Sequence, residues 1–258
     1  TKEDCSTHDT PRELDNDATV GKHSSIQIGT DNLPVISYWD ETNYKLKVVH
    51  CGDIACATSN PVTPVDVEDA GSSLGSYTSL TIGAQYPIIA YKGAGNELHV
   101  AVCSSFDCST KTIRIPAGAG AHEDIEIGIG GDGKPIIVYT DGSVYIAHCN
   151  QVGDCQSLSM APKQLSIGSG NESNLTIAPD GFAMVSYQEP DSTSGKATFV
   201  KCTSYDCSTF VRTEIDSTLD TGKDTSLTVG PDGFPVIVYR TPTPYELYVV
   251  HCADVECK

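Results

Sequence analysis

The chain has 258 residues, with 34 acidic and 16 basic side chains and a formal net charge of −18. A field of that sign excludes nucleic acid as a partner, and apolar runs such as Pro235–Tyr239 fall far short of the roughly 20 residues of a membrane helix. Hydrophobic residues make up 39% of the chain, too many for disorder, so the expectation is a soluble globular protein. No linker or composition shift divides residues 1–258, which points to one domain. Residues 1–25 are polar and charged and hold no apolar stretch of the signal-peptide kind.

In chain order the predicted elements repeat. The first copy has strands at Ser25–Ile28, Pro34–Tyr38 and Leu46–His50, with Asp31-Asn32 in the first turn and Cys51/Cys56 at the end. The second has Ser79–Ile82, Pro87–Tyr91, Cys103/Cys108 and a polar strand Thr112–Ile115. The third has Ile125–Ile127, the turn Asp132-Gly133, Pro135–Tyr139 and Cys149/Cys155. Leu175–Ile177, Asp180-Gly181, Met184–Tyr187, Cys202/Cys207 and Val211–Ile215 make the fourth. The fifth is Ser226–Val229, Asp232-Gly233, Pro235–Tyr239, Leu247–His251 and Cys252/Cys257. Asp-Gly and Asp-Asn tolerate the left-handed backbone that a tight hairpin needs.

Aligned on a shared glycine, the copies start near 21, 75, 120, 170 and 222, a period close to 50 residues. Four antiparallel strands at that period, with no helical periodicity, predict an all-β, five-bladed β-propeller. A linear β solenoid has shorter repeats with fewer strands. The last copy stops without a fourth strand, and residues 8–16 precede the first copy without a blade of their own. These residues are expected to supply the missing outer strand and close the ring.

Eleven cysteines fall as five close pairs and Cys5. Spacings of four or five residues suit local disulfides better than zinc knuckles, and five pairs suit a secreted or lumenal compartment, Golgi or extracellular. The sequons at Asn171 and Asn174 fit that route. Cys5 stands where the second cysteine of a pair would stand, so Cys252 has two candidate partners, Cys257 and Cys5, and Cys257 is favoured.

A propeller gathers one repeat position into a ring at its axis. Two residues after the shared glycine the chain reads His23, Tyr77, His122, Glu172 and Asp224. Imidazoles and carboxylates without Cys or Met suit Mn, Fe or Zn and argue against Cu(I). His23, His122, Glu172 and Asp224 are the first metal-ligand candidates, with Asp124, Asp132 and Asp69 behind them. The plainer reading makes them solvated polar residues at a wet rim, makes Asp132 and its equivalents ordinary turn residues, and makes Glu68-Asp69 a solvated pair. His50, His148 and His251 precede three first cysteines and read as repeat structure.

The chain has no G-x-S-x-G, H-E-x-x-H, P-loop or C-x-x-C motif. The non-enzymatic alternative is an extracellular carbohydrate-binding, lectin-like propeller, or one that binds protein. Against one sugar pocket per blade, the position after the repeated tyrosine reads Trp39, Lys92, Thr140, Gln188 and Arg240, with a single Trp to stack on a sugar.

With its five blades, five cysteine pairs and repeated S-L-x-I-G-x-D-G-x-P-V-I-x-Y motif, the chain resembles the tardigrade anhydrobiosis-related manganese-dependent peroxidases, secreted five-bladed propellers. The resemblance covers the whole chain. It implies removal of hydrogen peroxide with Mn²⁺ as cofactor, in the secretory pathway or outside the cell, in protection against oxidative stress on drying; separately, a monomer is expected, with a metal site that Zn²⁺ or Ca²⁺ can also occupy. The absence of C-x-x-C-H agrees with non-haem chemistry.

Overall fold

The computed structural model describes residues 11–17, 19–57, 65–68, 75–120, 123–190, 195–216, 218 and 220–258. Blade one is β1 (Val20–Ile28), β2 (Pro34–Asp40), β3 (Lys45–His50) and β4 (Val65–Glu68). Blade two is β5 (Ser76–Ile82), β6 (Pro87–Lys92), β7 (Leu98–Cys103) and β8 (Lys111–Arg114). Blade three is β9 (Glu123–Ile129), β10 (Pro135–Thr140), β11 (Val144–Gln151), β12 (Asp154–Leu158) and β13 (Lys163–Gln164). Blade four is β14 (Asn171–Ile177), β15 (Ala183–Pro190), β16 (Gly195–Cys202) and β17 (Phe210–Asp216). Blade five is β18 (Lys223–Val229), β19 (Pro235–Arg240) and β20 (Leu247–His251). All pairings are antiparallel and, β13 apart, run in chain order, giving the five-bladed propeller expected from the repeat.

The second strand of each blade lies between the first and third, and in blades two to four it is covered by a neighbouring blade on both faces. That is why Pro-Val-Ile-Ser-Tyr and its equivalents are apolar at successive positions instead of alternating. Each seam buries a forward face of one blade against a backward face of the next. Leu46 and Val48 meet Leu80, Ile89 and Tyr91 at the first seam, and Met184, Ala197 and Phe199 meet Leu227, Ile237 and Tyr239 at the fourth.

Two blades depart from the expected four strands. Blade three places an extra hairpin strand, β12, between β11 and the short β13. Blade five has three strands among the described residues. Residues 11–17 form no strand and pack on blade one, where Leu14 joins Tyr38, Val49 and Cys51; residues 8–10 of the expected closing segment lie outside the described residues. The five local disulfides form, including Cys252–Cys257, with Cα–Cα distances of 4.8 to 4.9 Å. Cys5 lies outside the described residues. Such bonds suit an oxidising compartment, and among the described residues no helix is long and apolar enough to cross a membrane.

Candidate functional site

Near its start, every first strand carries a β-bulge. The register skips between Lys22 and Ser25, Ser76 and Ser79, Asn171 and Asn174, and Lys223 and Ser226, and blade three skips between Val138 and Thr140 of its partner strand. One residue of each bulge is left-handed, namely His23, Tyr77, Asp124, Glu172 and Asp224, with φ between 47° and 55°. A non-glycine residue there carries roughly 1–2 kcal/mol of strain, so five repetitions mark a position that the fold holds against local preference. The bulge turns these side chains into a ring at one end of the axis.

Blade three corrects the alignment made from glycines. Its ring position is Asp124, two residues beyond His122, which lies outside the described residues. Sequence spacing missed this because blade three has two extra residues between its glycine and its bulge. The common bulge register identifies the equivalence.

Around the ring, one carboxylate caps the next backbone amide. Glu172 donates its N–H to Asp124 Oδ2 at 2.7 Å, and Asp224 donates its N–H to Glu172 Oε2. Arg240 Nε then donates to Asp224 Oδ2. Burial pushes the Asp124 carboxyl up; the Glu172 N–H opposes that, and the charges of Glu123, Glu172 and Asp224 add to it. Below the ring, Glu126 accepts from Ser79 Oγ at 2.9 Å, and burial with the Asp124 charge raises its carboxyl too.

The other arc is aromatic. His23 and Tyr77 lie with ring centroids 4.2 Å apart, Trp39 stands 5.9 Å from His23, and the Lys92 ammonium sits 6.0 Å over the Tyr77 ring. Burial, then Lys22, depresses His23, so its imidazole is neutral at pH 7. Burial, then Glu123 and Asp124, raises the Tyr77 phenol. Trp39 Nε1 is a buried donor with no acceptor among the described residues. The mouth therefore combines carboxylates, aromatic faces and cations. Trp39, Lys92 and Arg240 occupy the same position on the second strand, opposite Lys22, Ser76 and Lys223, and each blade presents a different side chain there.

Asp132 is elsewhere, in the hairpin turn at the far end of β9. Its Oδ1 accepts the Lys134 N–H at 3.2 Å, its Oδ2 lies 3.1 Å from His148 Nε2, and His148 Nδ1 bonds Ser159 Oγ at 2.9 Å. Asp31 and Asp232 meet His50 and His251 at 2.8 Å, and Asp180 meets Lys201 at 2.7 Å. These ties fasten the turns to the third strands. Asp69 lies outside the described residues. Asn174 Oδ1 accepts the Leu227 N–H at 3.0 Å in the seam between blades four and five. Among the described residues, no three His, Cys, Asp or Glu side chains come together in a way that could hold a metal ion. In particular, Asp124, Glu172 and Asp224 turn carboxylate oxygens to amides and a guanidinium.

No protein-family model matches the chain, and no curated protein does. Solved structures do match. An α-L-arabinofuranosidase from Lactobacillus brevis is 12% identical with a TM-score of 0.52 over 89% of this chain and 90% of that one. A thermostable family-43 glycoside hydrolase is 15% identical, with a TM-score of 0.50 over 92% and 91%. A family-43 β-1,3-galactosidase with galactodeoxynojirimycin is 10% identical, with a TM-score of 0.51 over 89% and 90%. At these identities the likeness is one of fold. The expectation of a peroxidase is nevertheless corrected, because these propellers are glycoside hydrolases.

Proposed function

We propose that the axial mouth binds carbohydrate, and that the protein works as a monomeric sugar-binding propeller outside the cell or in the secretory lumen. The observation that carries this reading is the pairing of two arcs in one ring: the faces of Tyr77, His23 and Trp39 beside the carboxylates of Asp124, Glu172 and Asp224. A sugar presents C–H groups on a face and hydroxyls on its edge. Aromatic rings take the first and charged hydrogen-bonding groups the second. The negative charge of the chain directs the reading to neutral or basic sugars and away from sulfated or uronic chains.

A second reading, glycoside hydrolysis, draws on the Asp124 carboxyl, which burial holds above its ordinary value, beside two further carboxylates. One experiment addresses both. Purified, disulfide-intact protein is applied to an array of neutral, basic and acidic glycans, and bound glycans are then assayed for release of reducing ends. Selective binding of neutral or basic glycans is the expected result. No binding to any glycan by folded protein defeats both readings, while binding without release leaves only the first.

A further inference from the structure

At the end of the blades opposite the mouth, His50, His148 and His251 each meet the aspartate of their own turn, at 2.8, 3.1 and 2.8 Å. Blade three adds a third group to this contact. The residue that faces the same third-strand position is Thr112 opposite Val102 in blade two and Val211 opposite Lys201 in blade four. In blade three the extra strand β12 turns back on β11 instead, and Ser159 follows it. Ser159 donates its N–H to the His148 carbonyl at 2.8 Å and sets its Oγ 2.9 Å from His148 Nδ1. The hairpin that carries the serine is fixed where it begins, because Cys155 is bonded to Cys149 and Asp154 takes Arg114 Nε and Nη2 at 2.8 and 2.7 Å.

The three side chains stand in the order hydroxyl, imidazole, carboxylate. His148 is 3% exposed, and Asp132 Oδ2 is the charge partner of its Nε2. A carboxylate at Nε2 favours the tautomer with the ring hydrogen on that nitrogen and leaves Nδ1 as an acceptor. The Ser159 hydroxyl has two acceptors, Nδ1 at 2.9 Å and the His148 carbonyl at 3.2 Å, and the nearer is the base. Asp132 is held in turn by the Lys134 N–H at 3.2 Å and the Lys134 ammonium at 3.5 Å. Ser159 itself is exposed, so a substrate reaches the hydroxyl from solvent while the groups that act on it are fixed. One pair further along the same face of the hairpin, Asn150 Nδ2 donates to Ser157 Oγ at 3.2 Å. Its second Nδ2 hydrogen is a donor roughly 7 Å along the hairpin from Ser159, a spacing that admits an ester carbonyl between hydroxyl and amide.

We propose that Ser159, with His148 as base, Asp132 as positioning residue and Asn150 as oxyanion donor, forms an acyl-transfer site that hydrolyses short-chain carboxylic esters. Ser159 Oγ attacks the carbonyl carbon, its proton passes to His148 Nδ1, and the carbonyl oxygen takes up negative charge facing the Asn150 amide. The bond to the alcohol oxygen then breaks, and the alcohol leaves with the proton from Nδ1. Water adds to the acyl-serine, giving its proton to Nδ1, and Ser159 recovers that proton as the carboxylic acid departs. Asn150 and Ser157 are polar and exposed, so the surroundings suit an acetyl group and offer nothing to bury a long acyl chain, while the alcohol is free to be part of a larger molecule. The site is separate from the axial mouth and stands whether or not the mouth binds sugar.

The test begins with unmodified, disulfide-intact protein, treated with a fluorophosphonate, the adduct being located by peptide mass spectrometry. Attack of Ser159 Oγ on phosphorus expels fluoride, and His148 takes the proton. The expected result is an adduct on Ser159 and none on Ser109 or Ser208, exposed serines whose hydroxyls meet Asp107 and Ser204 instead of an imidazole. Turnover of p-nitrophenyl acetate is measured beside it. Ser159→Ala should lose about a hundredfold or more in kcat/KM. Asp132→Asn, which keeps the size of the side chain, should lower kcat about tenfold or more at unchanged KM, which a merely structural tie would not do. An unlabelled Ser159 in folded protein, labelling shared equally with Ser109 and Ser208, or turnover by either variant at the parent's rate overturns the proposal.

Discussion

Lys47 shows how much a single side chain can hold in this protein. It is buried between Asp15 at 3.0 Å and Asp40 at 3.1 Å, and Asp15 also takes the Tyr38 hydroxyl at 2.6 Å. Burial opposes both carboxylates, but Tyr38, the Asp17 N–H and Lys47 hold Asp15 below its ordinary value, and Asn43 and Lys47 do the same for Asp40. Lys47→Met strands two buried charges and is expected to cost about 3 kcal/mol at pH 7. Groups depressed in the folded state stabilise it above the ordinary carboxylate range and lose that effect as pH falls through their folded values. The gap between parent and variant in urea unfolding should therefore narrow in acid. Asp124 has the opposite sign, since its raised carboxyl favours the folded state at low pH and opposes it as pH rises through the folded value. Asp124→Asn keeps an acceptor for the Glu172 N–H and removes a like charge, so Tm should rise on the order of 2 °C at pH 7 and show no gain near pH 4. The sequence placed Asp124 among secondary candidates because nothing in residue types reveals a bulge register shifted by two positions.

At the scale of the element, the repeat carries its own record of which residues pair. Position by position, the end of the third strand reads His50, Val102, His148, Lys201 and His251. Blade two, with Val102, is the blade whose turn Gly83-Ala84-Gln85-Tyr86 lacks the aspartate. Charge and partner are lost together, the mark of a contact, and this was readable from the sequence had the two positions been compared across copies. Asp132→Ala alone should destabilise by about 2 kcal/mol, because His148 is 3% exposed and keeps its polarity. Adding His148→Val, the blade-two solution, should recover at least half of that loss in chemical unfolding. An unaltered stability for the single variant would show that the tie contributes little. The strands themselves were legible from proline-led apolar runs and Asp-Gly turns; the extra β12 hairpin of blade three was not, since its polar Asp154–Leu158 has no alternating pattern.

For the whole molecule, periodicity near 50 residues was enough to foresee five blades, because each copy exposes two apolar faces that only another copy can cover. Which ring position did what was not legible. A repeat alignment seeks sameness, whereas the mouth is built from five different residues at one position, with His23 and Tyr77 on one arc and Asp124, Glu172 and Asp224 on the other. The metal reading followed from donor types alone; the structure adds directions, and the carboxylates turn to amides and a guanidinium.

The most direct test of the central claim is the affinity of an array-selected glycan, by titration calorimetry, for the parent, Tyr77→Ala and Tyr86→Ala. Tyr77 is in the ring, and Tyr86, which packs on Phe106, is in the hairpin turn at the other end of the blade. Loss of a stacking face should weaken binding about tenfold or more for Tyr77→Ala, with Tyr86→Ala binding as the parent does. Equal affinity for the parent and Tyr77→Ala, or loss confined to Tyr86→Ala, would place binding away from the axial mouth and contradict the account.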